Sequence, residues 1–179
     1  MTEVGSVYGE ALYTLAREEN LSKVILEQLR TLDGCFAGEP DFLRLLSAAN
    51  LPKAERCQIL DDCFRGKVEP YVLNFLKILT EKGYIRHFPH CVKAYGELYN
   101  QDNGILPVTA VTAVAMSDQQ KSKLSDKLRA ITGKHIELVN RIDPTCLGGV
   151  RLDYDGKRVD DTVSHRLDAV RRMLSNTVL

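Results

Sequence analysis

Apolar positions in the first hundred residues recur at helical spacing, in short blocks separated by breakers. Tyr8, Ala11, Leu12 and Leu15 mark a first helix that ends near Asn20. Ser22 is placed to cap a second, with Ile25, Leu29, Leu32 and Phe36 along one stripe. After the break at Gly38 to Pro40, a short third helix carries Phe42, Leu43, Leu45 and Leu46. Pro52 fits the first turn of a fourth, with Cys57, Leu60 and Phe64 on one side and Gly66 just beyond its end. Pro70 opens a fifth with Val72, Phe75, Leu76 and Leu79, closed by Gly83, and Pro89 opens a sixth with Val92, Tyr95 and Tyr99. Short amphipathic helices on short loops bury their stripes against one another, which predicts an antiparallel bundle.

The pattern changes after the polar stretch Asn100-Gln101-Asp102-Asn103-Gly104, the expected domain boundary. Val108 to Ala115 is rich in Val, Thr and Ala, as strands are. Ser117 and Gln120 form a capping-box pattern before a helix with Leu124, Leu128 and Ile131, stopped at Gly133. Ile136, Leu138 and Ile142 alternate on one face of a second strand. Val150, Leu152 and Tyr154 lead into Asp155-Gly156, a two-residue hairpin signal, with Val159 on the return strand. Asp160 or Asp161 is placed to cap a last helix with Val163, Leu167, Val170 and Leu174. The expected fold is mainly α: a six-helix bundle over 1–103, then a small α/β domain over 104–179 ordered strand, helix, strand, hairpin, helix.

Composition narrows the function. The 179 residues carry 24 Lys plus Arg and 24 Asp plus Glu, a formal net charge of zero. A dedicated nucleic-acid binder needs excess positive charge to displace phosphate counterions, and a polybasic membrane-surface protein needs it too. No apolar run approaches the roughly 20 residues of a membrane helix, and the opening residues show no signal-peptide pattern. Cys35, Cys57, Cys63, Cys91 and Cys146 are odd in number and mostly within helical patterns, which suits a reduced compartment.

Candidate chemistry is sparse. His87-Phe88-Pro89-His90-Cys91 groups metal-ligand residue types, but the paired spacings of a zinc shell are missing. Gly148-Gly149 has no following Gly-Lys-Ser/Thr and precedes a strand, so a close backbone approach or a strained turn explains it better than a phosphate loop. Neighbouring carboxylates on a helix point about 100° apart, so Asp61-Asp62 reads as a solvated face and Asp160-Asp161 as a helix cap. Arg151, Lys157, Arg158 and Arg166 are offset by aspartates at 153, 155, 160 and 161, a mixed-charge face. No metal, cofactor or catalytic residue is expected.

Two stretches together resemble the delta subunit of the F-type ATP synthase, the family of the mitochondrial oligomycin-sensitivity-conferring protein. Tyr8-Gly9-Glu10-Ala11-Leu12-Tyr13-Thr14-Leu15-Ala16 is similar to the family's opening helix, with Gly9 in place of alanine at some cost in helix stability. Gly148-Gly149-Val150, then Asp160-Asp161-Thr162-Val163 and Arg166-Leu167, resemble its C-terminal signature. Asp161 replaces the usual glycine, Thr162 the usual serine, and Ser164 stands where arginine is common.

The resemblance implies a non-catalytic stator subunit. Its N-terminal domain would hold N-terminal helices of the alpha subunits of the catalytic head, and its C-terminal domain would meet the b subunits of the peripheral stalk. One copy per complex is expected, peripheral on the cytoplasmic face of a bacterial inner membrane, without nucleic acid and without membrane insertion. The expected groove lies between the first and fifth helices, lined by Tyr8, Ala11, Leu12, Leu15, Phe75, Ile78 and Leu79, with Ile78 beside the buried stripe and free to point outward. Val163 and Leu167 are expected to pack on the sheet. The other reading is an RNA-binding or translation-associated α/β module, which would display aromatic residues for base stacking; only Tyr154 falls in the predicted strands.

Overall fold

The computed structural model describes residues 3–48, 51–163, 165 and 167. The chain divides into two compact units, Met1–Tyr99 and Asn100–Leu179. The first contains α1 (Glu3–Glu18), α2 (Ser22–Gly38), α3 (Pro40–Leu46), α4 (Lys53–Phe64), α5 (Pro70–Lys82), a 3-10 turn (Ile85–His87) and most of α6 (Phe88–Asp102).

The helix ends follow local chemistry. Gly83 closes α5 at φ 77°, a left-handed position that glycine adopts without strain. Asn20 does the same for α1 at φ 58°, and the Leu21 N–H bonds back to the Ala16 carbonyl at 2.8 Å. Ser22 does not cap α2. Leu21 holds that position without a side-chain bond, and Ser22 is the first helical residue. Its carbonyl accepts instead from the Tyr95 hydroxyl at 2.9 Å.

The core of this unit gathers Ile25, Leu29, Leu32 and Phe36 of α2 with Leu60 of α4, Val72, Phe75, Leu76 and Leu79 of α5, and Phe88, Val92 and Tyr95. The Phe36 ring lies 5.7 Å from that of Phe42, 6.3 Å from Phe64 and 5.1 Å from Phe88, so one aromatic side chain joins three other segments. Two polar groups are built into it. Arg56 on α4 is buried and donates to the Leu46 carbonyl at 3.0 Å. Asp61 on α4 meets Lys77 on α5 at 2.7 Å, with 18% and 26% of the respective side chains exposed.

The first helix departs from its expected orientation. Its buried residues are Gly5, Gly9, Leu12, Tyr13 and Ala16, whereas Ala11 and Leu15 are exposed and Tyr8 is half-buried. The cause is a close crossing with α6. A Cβ on Gly9 would stand 2.7 Å from the Cys91 carbonyl oxygen and 2.9 Å from the Ala94 Cβ. The missing methyl therefore permits the contact, and the Tyr13 ring packs edge-on against Tyr95 at 5.2 Å. Glycine here is a packing requirement of this pair of helices and not merely a loss of helix propensity.

The second unit holds a four-stranded mixed sheet in the order β2-β1-β3-β4 among the described residues. Its strands are β1 (Ile105–Thr112), β2 (His135–Ile142), β3 (Val150–Tyr154) and β4 (Lys157–Asp160), with α7 (Asp118–Thr132) joining β1 to β2. β1 runs parallel to β2 and antiparallel to β3, which forms the hairpin with β4. Asp155 and Gly156 have φ 47° and 69°, the positive pair that a two-residue hairpin of this hand requires. The capping box forms as expected: Ser117 accepts from the Gln120 N–H at 3.3 Å, and the Gln120 side chain accepts from the Ser117 N–H at 2.9 Å.

β1 begins three residues earlier than its composition suggests and stops at Thr112, leaving Val114 75% exposed. Pro107 is tolerated inside it because residues 105–107 pair with β2 only; the β3 ladder begins at Val108. One face of the sheet is apolar, with Leu106, Val108 and Ile136 packed against Leu128 of α7, Leu138, Leu152 and Tyr154. Ile131 and Ile142, expected on that face, are exposed. Asn140 takes the place between Leu138 and Ile142, its amide donating to the Ala110 carbonyl and Thr112 hydroxyl, both at 2.9 Å. A polar residue there ends the apolar face.

Candidate docking surfaces

On the first unit, the seven groove candidates separate by depth. Leu12, Phe75 and Leu79 are core, at 5%, 6% and 0% exposure, and Tyr8 packs partly against the same cluster. Ala11 and Leu15 on α1 and Ile78 on α5 face solvent, Leu15 at 37% and Ile78 at 45%. The Tyr8 ring lies 5.9 Å from Tyr84, just beyond the end of α5, so α1 reaches the C-terminal end of α5. Val7, 59% exposed and one helical turn before Ala11, extends the apolar edge and was missed by the periodicity. The glycines at 5 and 9 were the available signal: small residues four apart mark the face that meets a neighbour, which leaves Val7, Ala11 and Leu15 on the outside.

On the second unit, the residues of the signature come together. Gly149 has φ 81°, and a Cβ there would lie only 2.4 Å from the Asp161 carbonyl oxygen. The Asp161 N–H donates to the Val150 carbonyl at 3.2 Å and the Val163 N–H to the Gly148 carbonyl at 3.0 Å. Gly148, Gly149 and Val150 thus form one wall of a backbone junction whose other wall is 160–163. Asp160 does not cap the following turn directly. Its carboxylate accepts from the Thr162 N–H and hydroxyl at 3.0 and 2.7 Å, and Thr162 in turn accepts from the His165 N–H at 3.3 Å. These Thr162 bonds hold the Asp160 carboxyl below its usual pKa. Asp161 has no positive φ, so its replacement of glycine is conformationally tolerated. Val163 and Leu167 are 43% and 56% exposed and do not pack as sheet core, since the junction holds Val163 at the end of the sheet. Arg166 and the rest of the expected last helix, with Val170 and Leu174, lie outside the described residues.

The opposite sheet face is ionic. Asp153 accepts from Arg158 at 2.9 Å and lies 3.5 Å from Arg151, and the Arg158 bond holds its carboxyl below the usual range. Among the described residues no group of three or more His, Cys, Asp or Glu side chains is placed to hold a metal, and no helix is long and apolar enough to cross a membrane. Burial pushes the Cys91 thiol up to about 11, which keeps it protonated near neutral pH.

A helical unit with an apolar edge, joined to a small mixed-sheet unit, defines a mainly helical two-part protein built around docking surfaces. Residues 4–174 match the family profile described as ATP synthase delta (OSCP) subunit, and the chain belongs to that family. The ATP synthase subunit delta of Alkaliphilus oremlandii (strain OhILAs) is 33% identical over 176 residues, 98% of each chain. That of Clostridioides difficile (strain 630) is 31% identical over 98% of this chain and 97% of its own. The sodium ion specific delta subunit of Ilyobacter tartaricus is 29% identical over 95% and 97%. A chain of the Toxoplasma gondii mitochondrial ATP synthase hexamer shares the fold with a TM-score of 0.76 at 16% identity, covering 97% of this chain and 98% of that one. The RNA-module reading finds no support among these relatives.

Proposed function

We propose that this chain is the non-catalytic stator link of an F-type ATP synthase. In this reading the helical unit is a six-helix bundle that receives N-terminal helices of the alpha subunits, and the mixed-sheet unit engages the b subunits. The complex places it peripherally at the cytoplasmic face of the membrane, one copy per synthase, where it resists rotation of the head. Once one unit is docked, the other meets its partner at high effective concentration, so two moderate contacts hold together.

The observation that carries this is the apolar edge of Ala11, Leu15 and Ile78, exposed beside the buried Leu12, Phe75 and Leu79 in a member of this family. An amphipathic helix laid along α1 and α5 would cover it. The test is a fluorescence-anisotropy titration of the intact protein with a labelled peptide of the alpha N-terminus. Ile78→Asp and Ala11→Trp are expected to weaken binding at least about tenfold, ~1.4 kcal/mol. Their urea midpoints should stay within about 0.5 kcal/mol of the parent, as for other exposed positions. Unchanged affinity in both variants would remove α1 and α5 from the interface.

A further inference from the structure

Leu147 sits at φ 61° and ψ −32°, a conformation that costs a non-glycine residue free energy, and its side chain is 67% exposed. Burial therefore returns little for that strain. The turn is held by its neighbours: the Leu147 N–H reaches the Pro144 carbonyl at 3.2 Å, the Cys146 N–H reaches the Asp143 carbonyl at 3.2 Å, and Cys146 itself is buried. Glycine would occupy the position without strain, and the two residues that follow are both glycine. An outward leucine at a strained apex is accounted for by something that it touches.

The registers show what surrounds it. Thr112 pairs with Ile142 and with Val150, and Arg151 pairs with Asp160, so the ends of β1, β2 and β4 and the start of β3 share one end of the sheet. The exposed apolar side chains Val114, Ile142, Leu147 and Val163 all belong to that end, at 75%, 54%, 67% and 43% exposure. Val114 follows β1 in a turn closed by the Thr112 hydroxyl on the Val114 carbonyl at 2.7 Å, and Val163 is bonded to Gly148. Aspartates 118, 143, 160 and 161 lie in the same loops, against Arg141 and Arg151, and Arg151 already faces Asp153. Hydrogen bonds from Thr145 and from Thr162 keep the Asp143 and Asp160 carboxyls ionised well into acid.

We infer that this end of the sheet, with Leu147 at its apex, docks the stalk, and that its occupant is a helix whose apolar stripe is flanked by lysine or arginine. Apolar surface supplies the contact and the aspartate excess selects a basic partner. The inference rests on the stator reading and assigns the surface within it.

The experiment measures binding of the soluble part of the synthase's own b subunits to the full-length protein, by calorimetry, with melting followed in parallel. Leu147→Gly and Leu147→Asn, both at ease with a positive φ, should melt no lower than the parent yet bind at least about tenfold more weakly. Val114→Asp should weaken binding similarly. Ile131→Asp, at the far end of the sheet on the helix before β2, should change nothing. If the parent binds the b subunits and the Leu147 variants bind equally well, the surface is wrong while the stator reading stands. If the parent binds no b subunit, both fall. Loss of a parent homodimer in the Leu147 variants, seen by sedimentation without any effect on b binding, would make the occupant a second copy and overturn the proposal.

Discussion

Gly9 shows how much one residue decides. Helix propensity alone says that alanine would gain up to about 1 kcal/mol there. The crossing with α6 says the reverse, because the added methyl meets a backbone carbonyl 2.7 Å away that has no rotamer to yield. Gly9→Ala is therefore expected to destabilise the protein by about 1–3 kcal/mol, the range for overpacking a tight interior, as read from urea unfolding. A stabilised variant would mean that α1 moves away from α6 at little cost. This residue also explains why the face of α1 was misread. Apolar side chains lie on both sides of the helix, and a periodicity search gives no weight to glycine, although Gly5 and Gly9 are among its buried residues.

At the scale of elements, what sequence discloses is what local chemistry determines. The capping box at Ser117, the left-handed glycines after α5 and α7 and the Asp155-Gly156 hairpin each need only two to four neighbouring residues, and each forms where expected. The limits of β1 depend on partners far along the chain: β2 alone admits Pro107, and Asn140 closes the apolar face. The junction between the two parts of the signature is likewise invisible to composition, since glycine 149 and aspartate 161 meet only in the fold. The seam between α4 and α5 carries a pH signature. The Lys77 hydrogen bond and charge, with Arg65 adding its own, hold the Asp61 carboxyl below its ordinary value. A depressed carboxylate contributes stability that is fully present above its unfolded pKa of about 3.9 and is lost as pH falls through the folded value. Asp61→Asn should thus unfold more readily than the parent at neutral pH, and the gap between their denaturant midpoints should close on acidification below about pH 4. A gap independent of pH would show that the pair is not the source.

The whole molecule is two units with separate cores, one of aromatic and aliphatic side chains from helices, the other a single apolar sheet face under α7. The change of pattern near residue 100 made that division legible from polar and glycine residues alone. The strand order was not legible, because strand length and alternation are the same whichever neighbour a strand takes. The division has an optical consequence. The chain has seven tyrosines and no tryptophan, and only Tyr154 lies in the second unit. Tyr95, fully buried against Tyr13, has its phenol pushed far above the usual value by desolvation. A phenol so placed favours the folded state as its neutral form, and that preference is lost as pH rises beyond the unfolded pKa of about 10. Ultraviolet absorbance of phenolate should therefore rise in two stages in alkali, exposed rings first and Tyr95 only as its unit opens. The late stage would clock the opening of the helical unit alone, with no label added.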